Sequence, residues 1–239
     1  MGELSSLRSH KIRTGPSPVK SLNRMTILNA KNLTLREVHQ LLGYRKLPGE
    51  SFTDVLSLAP LSEYEQLDLA RIRTDFESYL LDSKVLEGQV KLLAVGPLLR
   101  LAGFYSAPLK ISLEQNIADI AIEDGNKTIV GRLDILVSNK SQPAATDVAF
   151  WVLVIETKNS GISSLEALPQ LLTYAYDCLE RQETVWGLVT NGTEYRFVLI
   201  RQGDPPTYQW LSLLSLLDAD SSIQLLQVLK AICQIQNAM

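Results

Sequence analysis

Two predicted strands carry charged residues where hydrophobic ones are expected. The stretch "WVLVIETKNSG" (residues 151–161) is an apolar run that ends on Glu156 and Lys158. Because side chains alternate between faces along a strand, these two residues project to the same side and Thr157 to the other. In the preceding predicted strand, "GRLDILV" places Asp134 inside an apolar run. A carboxylate in that position is costly unless it is hydrogen-bonded, paired or bound to a cation.

These residue types are suited to metal-assisted hydrolysis. If the two strands pair across the 138–149 connection, Asp134 lies close to Glu156, and two adjacent carboxylates repel unless a cation lies between them. A hard ion such as Mg²⁺, with Mn²⁺ as a substitute, fits that demand and can polarise a phosphoryl oxygen. Lys158 can orient or deprotonate water, or neutralise charge on a phosphate. The alternative is a polar cluster that only orients two strands.

Composition excludes several other classes of active site. The 239 residues include two histidines, His10 and His39, and two cysteines, Cys178 and Cys233. A Ser-His-Asp, Cys-His or ordinary zinc site would have to recruit one of these two histidines. Neither a GxxxxGK[ST] segment nor a GxGxxG after a strand occurs, which argues against a P-loop ATPase and a dinucleotide cofactor. The cysteines lie in helix-like apolar patterns and are predicted to be reduced core residues.

Overall composition is that of an ordinary globular protein, with 46% hydrophobic and 21% charged residues. No apolar run is long enough for a membrane helix and no secretory signal is recognisable, so we predict a cytoplasmic protein that does not bind membranes. The net charge of −3 argues against a surface coated by DNA, although a local basic cleft can coexist with an acidic surface.

Periodicity divides the chain into a helical part and an α/β part. Residues 1–30 are predicted to be a flexible basic arm, with contact to a DNA backbone as the functional alternative. Residues 31–80 are predicted to be a helical extension, with capping boxes at Thr34–Glu37 and Ser62–Glu65. Residues 81–239 are predicted to form one α/β core: a helix interrupted at Gly96–Pro97, three antiparallel strands, a helix, a strand pair joined at "NG" and a C-terminal helix. The second of the three strands is "KTIVGRLDILVSN".

The segment "GRLDILV…WVLVIETKNS" resembles the core of the PD-(D/E)XK nucleases, whose metal-binding Asp and E-x-K lie on adjacent central strands. The following "QLLTY" places Gln170 and Tyr174 four residues apart on one helical face. This matches the Q-xxx-Y element of the nuclease domains of type I restriction enzyme R subunits. Glu87, in "KVLEGQVKLL", matches the acidic residue that often assists the metal on the preceding helix. The resemblance covers roughly residues 80–201.

The resemblance implies a restriction-endonuclease-like fold, with a central mixed sheet flanked by helices, and Mg²⁺-dependent cleavage of DNA. Asp134 and Glu156, with Glu87, would be metal ligands, Lys158 the catalytic lysine, and Gln170 and Tyr174 supporting or DNA-contacting residues. Nucleases of this kind often act as homodimers.

Two features depart from the family. No ATP-driven translocase follows the nuclease segment, so a stand-alone nuclease is expected, and a leucine precedes Asp134 in place of the proline of the family name. The alternative function is a catalytically inactive DNA-binding or assembly module that keeps the fold. A hydrolase of small phosphate esters has no sequence signal. Taken alone, Gln170 and Tyr174 are also compatible with core packing, and Glu87 with an exposed helix face.

Overall fold

The computed structural model describes residues 26–117, 119–122, 126–139 and 150–235. Short 3₁₀ helices lie at Ala30–Asn32 and Ser164–Ala167, and a π-helical turn at Lys91–Val95. The strands of the described residues are β1 (Thr26–Asn29), β2 (Arg45–Lys46), β3 (Leu109–Asn116), β4 (Ile120–Ala121), β5 (Lys127–Val130), β6 (Arg132–Asn139), β7 (Phe150–Thr157), β8 (Thr184–Thr190), β9 (Glu194–Arg201), β10 (Thr207–Trp210) and β11 (Leu214–Ser215). Their helices are α1 (Leu35–Leu42), α2 (Phe52–Val55), α3 (Glu63–Asp82), α4 (Glu87–Val90), α5 (Gly96–Leu101), α6 (Leu168–Leu179) and α7 (Ala219–Ile235).

The main sheet has eight strands within the described ranges, in the order β2-β10-β9-β8-β7-β6-β3, with β11 paired to β9. Strands β3, β6 and β7 are antiparallel neighbours, as predicted. Strands β7 and β8 are parallel, and the crossover between them is made by α6, as parallel pairing requires. The predicted α/β fold with a central mixed sheet flanked by helices is confirmed.

Helices cover both faces of this sheet, which explains why β7 is apolar on both sides. Helices α6 and α1 pack on one face, where Leu136 and Val154 point. Helices α3, α5 and α7 pack together on the other face, where Ile135 and Ile155 point. Each such buried side chain contributes about 1.5–3 kcal/mol. The centre of the sheet is therefore a rigid base for the charged ends of β6 and β7.

The predicted single strand over residues 127–139 is in fact two strands in two different sheets. Strand β5 belongs to a three-stranded sheet, β1-β5-β4, whereas β6 belongs to the main sheet. The break is at Gly131, where an added Cβ would lie 2.5 Å from Cε1 of Tyr174. The chain changes sheets at the one residue whose lack of a side chain lets the tyrosine approach the backbone.

The predicted interruption at Gly96–Pro97 is wrong, because helical backbone continues from Glu87 to Leu101. The N–H of Gly96 donates to the carbonyl of Lys91, five residues back. This π turn lies directly before Pro97, at the start of α5, where a missing N–H is tolerated. The widened turn accommodates the proline without breaking the helix.

At the N-terminal end, the Thr34–Glu37 and Ser62–Glu65 capping boxes are confirmed. The predicted arm over residues 1–30 lies mostly outside the described residues. Its last part, Thr26–Asn29, forms β1, which pairs in parallel with β5. In the predicted helical extension, β2 adds to the main sheet beside β10.

Cys178 and Cys233 are buried free thiols, as predicted. In the part of the chain that the structure describes, none of the helices is both long and apolar enough to cross a membrane.

Candidate active site

The site lies where the pairing of β6 and β7 ends. The last paired residues on that side are Ile135 and Ile155, so the register places Asp134 opposite Glu156 in the next position. On its other side, β7 continues to pair with β8 through Glu156 and Thr157. The end of β7 is thus held by β8 and the start of β6 by β3, and the two carboxylates meet where β6 and β7 separate.

Side chains replace the backbone ladder at this point. The N–H of Asp134 donates to Oε1 of Glu156 at 3.2 Å. In return, Oδ2 of Asp134 accepts from the N–H of Thr157 at 2.7 Å and from its hydroxyl at 2.8 Å. Thr157, predicted on the other face of β7 from Glu156 and Lys158, is a partner of Asp134, while its backbone stays paired with Thr190 of β8. Each carboxylate stabilises the neighbouring strand and is fixed by it.

Glu156 is the least satisfied charged group of the site. It is 0% exposed, and its Oε2 has no hydrogen-bond partner. Burial, followed by the nearby charge of Asp134, raises the pKa of Glu156 well above its ordinary value. The charges of Lys158 and Lys91 act in the opposite direction but do not compensate. A buried carboxylate with a bare oxygen calls for a proton or a cation.

A chain of hydrogen bonds connects Lys158 to α6. Its Nζ donates to Oε1 of Gln170 at 3.2 Å, and Nε2 of Gln170 donates to the hydroxyl oxygen of Tyr174 at 3.0 Å. The same hydroxyl oxygen accepts the backbone N–H of Arg132, at the start of β6, at 3.3 Å. The Gln-x-x-x-Tyr spacing, one helical turn, therefore joins the lysine on β7 to the backbone of β6.

A second set of charges faces Asp134 from the other side. Nζ of Lys91 lies 2.9 Å from Oδ1 of Asp134, 2.8 Å from Oε1 of Glu114 and 3.1 Å from Oε1 of Glu87. Nε of Arg132 binds the other oxygen of Glu114 at 3.0 Å. Burial opposes the charged form of Lys91, but hydrogen bonds to Glu114 and Asp134 outweigh it and raise the pKa of the lysine. Lys91 is held as an ammonium ion.

Glu87, Glu114, Arg132 and Asp134 line an open cleft of about 640 Å³ between the small sheet and the main sheet, whereas Lys91, Glu156 and Lys158 lie outside its lining. Asn29 and Lys31, at the end of the predicted N-terminal arm, form part of its wall together with Gln170 and Tyr174. The lining is predominantly polar.

The carboxylates of this region are of the type that binds hard divalent metal ions. Within residues 26–117, 119–122, 126–139 and 150–235, no group of three or more histidine, cysteine, aspartate or glutamate side chains is placed to hold one. The ammonium of Lys91 instead lies among three of the carboxylates. The donor set itself fits, because carboxylate oxygens are the ligands of Mg²⁺ and Mn²⁺, and Glu156 Oε2 is a buried oxygen without a partner. Asp134 and Glu156 are the residues that would hold the ion.

The structure joins the six residues singled out from the sequence in one region. Glu156 contacts Asp134, Lys158 is linked through Gln170 to Tyr174, and Glu87 reaches Asp134 only by way of Lys91.

Sequence reasoning missed Lys91, Glu114, Arg132 and Thr157. Two of them had a signal: Lys91 lies one helical turn after Glu87, and Arg132 lies two residues before Asp134 on the same strand. Glu114 had none, because its position depends on a φ of 52°.

Comparisons with known proteins find similarity to solved structures. No protein-family model matches the chain, and no curated protein matches it. A solved fragment assigned to an HsdR subunit of a type I restriction enzyme from Vibrio vulnificus YJ016 is similar at 20% identity and a TM-score of 0.37. The match covers 59% of this chain, and this chain spans about a quarter (25%) of the length of the solved fragment. A similarity of this size does not establish a function, which is therefore inferred from the site.

Proposed function

We propose that the protein is a metal-dependent endonuclease that hydrolyses DNA phosphodiester bonds, with Mg²⁺ as the natural ion and Mn²⁺ as a substitute. The observation that carries the proposal is Oε2 of Glu156, a fully buried carboxylate oxygen without a partner beside a second carboxylate. Burying such a group is costly, and binding a cation removes the cost. DNA as the substrate rests on the resemblance of the Asp134, Glu156-x-Lys158 and Gln170-x-x-x-Tyr174 pattern to restriction-type nucleases.

Each residue has a distinct task in this proposal. Asp134 and Glu156 hold the ion, which when bound polarises the phosphoryl oxygen and acidifies a water molecule. Lys158 orients the attacking water and neutralises charge on the phosphate. Gln170 fixes the Lys158 ammonium through its hydrogen bond, and Tyr174 fixes Gln170. The last two are positioning residues.

Plasmid cleavage tests the role of the lysine. Supercoiled plasmid is incubated with Mg²⁺ or Mn²⁺ and either wild-type protein, Lys158→Ala or Lys110→Ala. Lys110 is exposed on β3 and pairs with Ser138, about 13 Å along the sheet from the position facing Asp134. We expect Lys158→Ala to slow nicking about 10²–10³-fold, and Lys110→Ala to leave it unchanged.

Chelation and a second variant test the metal. EDTA is expected to abolish nicking, and so is Asp134→Asn, whose amide oxygen can still accept the hydrogen bonds from Thr157. Nicking that survives in EDTA, or equal nicking by wild-type protein and Lys158→Ala, would show that the site has been assigned wrongly. We also propose a homodimer, because two active sites are needed to cut both DNA strands. Analytical ultracentrifugation of the protein bound to DNA measures its oligomeric state.

One observation favours a second candidate, a DNA-binding or assembly module that does not cut. Lys91 already neutralises Asp134, so part of the acidic cluster is satisfied without metal. DNA binding that is indifferent to divalent ions and to Asp134→Asn, with no cleavage of any DNA, would support this function instead.

A further inference from the structure

Lys91 occupies the position that a cation takes among carboxylates. Its ammonium lies within 3.1 Å of oxygens from Glu87, Glu114 and Asp134, which come from a helix and two strands. An ammonium can donate three hydrogen bonds; two of them go to Glu114 and Asp134, and Glu87 forms an ion pair with the same nitrogen. The side chain is 19% exposed, so it reaches into the site and does not lie along the surface.

The local backbone is specialised on two sides of this lysine. The π turn begins at Lys91 itself and continues to Val95. Glu114 has a φ of 52°, which is uncommon for a residue with a side chain. Lys91 and Glu114, whose side chains form an ion pair, thus both lie at irregular points of the backbone.

The oxygens of Asp134 show where a metal ion and Lys91 would compete. Its Oδ2 is committed to the backbone and hydroxyl of Thr157. Its Oδ1 is therefore the oxygen available to a metal ion shared with Glu156, yet Oδ1 is the atom that accepts from Lys91. An ammonium and a divalent ion bound to one oxygen repel each other strongly. Glu156 Oε2, fully buried and without a partner beside Asp134, is the independent sign that a cation belongs here.

We propose that Lys91 is a tethered cation that exchanges with the divalent ion. Metal binding at Asp134 and Glu156 displaces the ammonium from Asp134 Oδ1, and Lys91 thereby weakens the affinity of the site for metal. Glu114 retains the displaced ammonium, while Glu87 becomes free to approach the ion. This inference rests on the metal site of the proposed function and adds a residue that controls it.

A binding measurement without DNA tests the exchange. Mn²⁺ affinity is measured by titration calorimetry for wild-type protein, Lys91→Met, Lys230→Met and Asp134→Asn. Lys230 is a matched control, because its side chain is 20% exposed and is paired with Glu65 away from the site. We expect Lys91→Met to bind Mn²⁺ about tenfold or more tightly, the equivalent of one charge-assisted hydrogen bond. Lys230→Met should match the wild type, and Asp134→Asn should bind more weakly.

Chemical labelling tests the same exchange in the wild-type protein, so that the result does not depend on the folding of a variant. Reductive methylation followed by mass spectrometry is carried out with and without Mn²⁺. The ion should increase the labelling of Lys91 several-fold and leave that of Lys230 unchanged. If the protein binds Mn²⁺ and the labelling of Lys91 is the same with and without the ion, the exchange is wrong.

The outcomes separate this inference from the nuclease proposal. If the wild type binds Mn²⁺ and Lys91→Met binds it no more tightly, the exchange at Lys91 is wrong and the nuclease proposal is unaffected. If Lys91→Met binds more tightly but no protein cuts DNA, the exchange stands and the nuclease fails. If neither wild type nor Lys91→Met binds Mn²⁺, the metal site itself is wrong and the exchange falls with it.

Discussion

Replacing Glu156 by glutamine is expected to stabilise the metal-free protein. Glutamine has nearly the same shape, and its amide oxygen can still accept the N–H of Asp134 that Oε1 of Glu156 accepts at 3.2 Å. The substitution removes a negative charge that is fully buried beside another carboxylate. The proposed cation site thus lowers stability when the cation is absent.

The increase in the free energy of unfolding caused by Glu156→Gln is expected to grow as the pH rises. Burial, with the charge of Asp134, raises the pKa of Glu156, so the folded protein keeps this proton to a higher pH than the unfolded chain does. Wild-type stability therefore falls as pH rises from the ordinary pKa of glutamate to the raised one, by up to about 1.4 kcal/mol per pH unit. Glutamine does not titrate and lacks this slope. For a chain of this length, 1 kcal/mol shifts Tm by about 2–4 °C.

Thermal unfolding in EDTA between pH 5 and 9 measures the effect. The difference in Tm between Glu156→Gln and wild type should grow by about 3–6 °C per pH unit and then level off. Glu77→Gln, an exposed substitution on α3 with the same change of charge, controls for net charge. With Mg²⁺ added, wild type should become more stable than Glu156→Gln. At a Mg²⁺ concentration of one hundred times Kd, binding stabilises wild type by about 2.7 kcal/mol and stabilises Glu156→Gln by less.

Two results would refute this reasoning. One is a Glu156→Gln protein that is no more stable than wild type at any pH in EDTA. The other is an equal dependence of Tm on pH in both proteins, which would show that the buried Glu156 carboxylate carries no penalty.

Three further substitutions probe the supports of the site. Gly131→Ala places a Cβ 2.5 Å from Cε1 of Tyr174, so urea unfolding should show a loss of about 1–3 kcal/mol, together with slower plasmid nicking. Tyr174→Phe leaves the N–H of Arg132 and Nε2 of Gln170 without their acceptor; we expect a loss of about 1–3 kcal/mol and slower single-turnover cleavage at unchanged Mn²⁺ affinity. Ser62→Ala removes the N-cap of α3, so it should cost about 1 kcal/mol in the same urea assay without changing cleavage.

Each of these has an outcome that contradicts it. Wild-type stability for Gly131→Ala would mean that Tyr174 can move aside freely. An unchanged cleavage rate in Tyr174→Phe would remove this tyrosine from the positioning of Lys158. A change in cleavage with Ser62→Ala would mean that α3 affects the site directly.

Local rules predicted much of the fold correctly. The capping boxes at Thr34 and Ser62 lie three residues from their partners, so neighbouring residues alone determine those helix starts. The apolar run before Glu156 predicted a strand, and its side chains are buried on both sides of the sheet.

Local rules failed where distant contacts determine the backbone. The strand break at Gly131 depends on Tyr174, which is far along the chain and fills the space that a side chain would take. Helical continuity at Gly96–Pro97 depends on a π turn that no spacing rule anticipates.

For the candidate site, the sequence by itself determined which groups are available: Asp134, Glu156 and Lys158 at strand ends, and Gln170 and Tyr174 one helical turn apart. Their placement on shared faces follows from the periods of strand and helix, which can be applied directly to the sequence. Only the tertiary structure decided which charges neutralise one another. Lys91 meets Asp134 and Glu114 because a helix and two strands converge there, and electrostatic pairing depends on distance in space and not on separation along the chain.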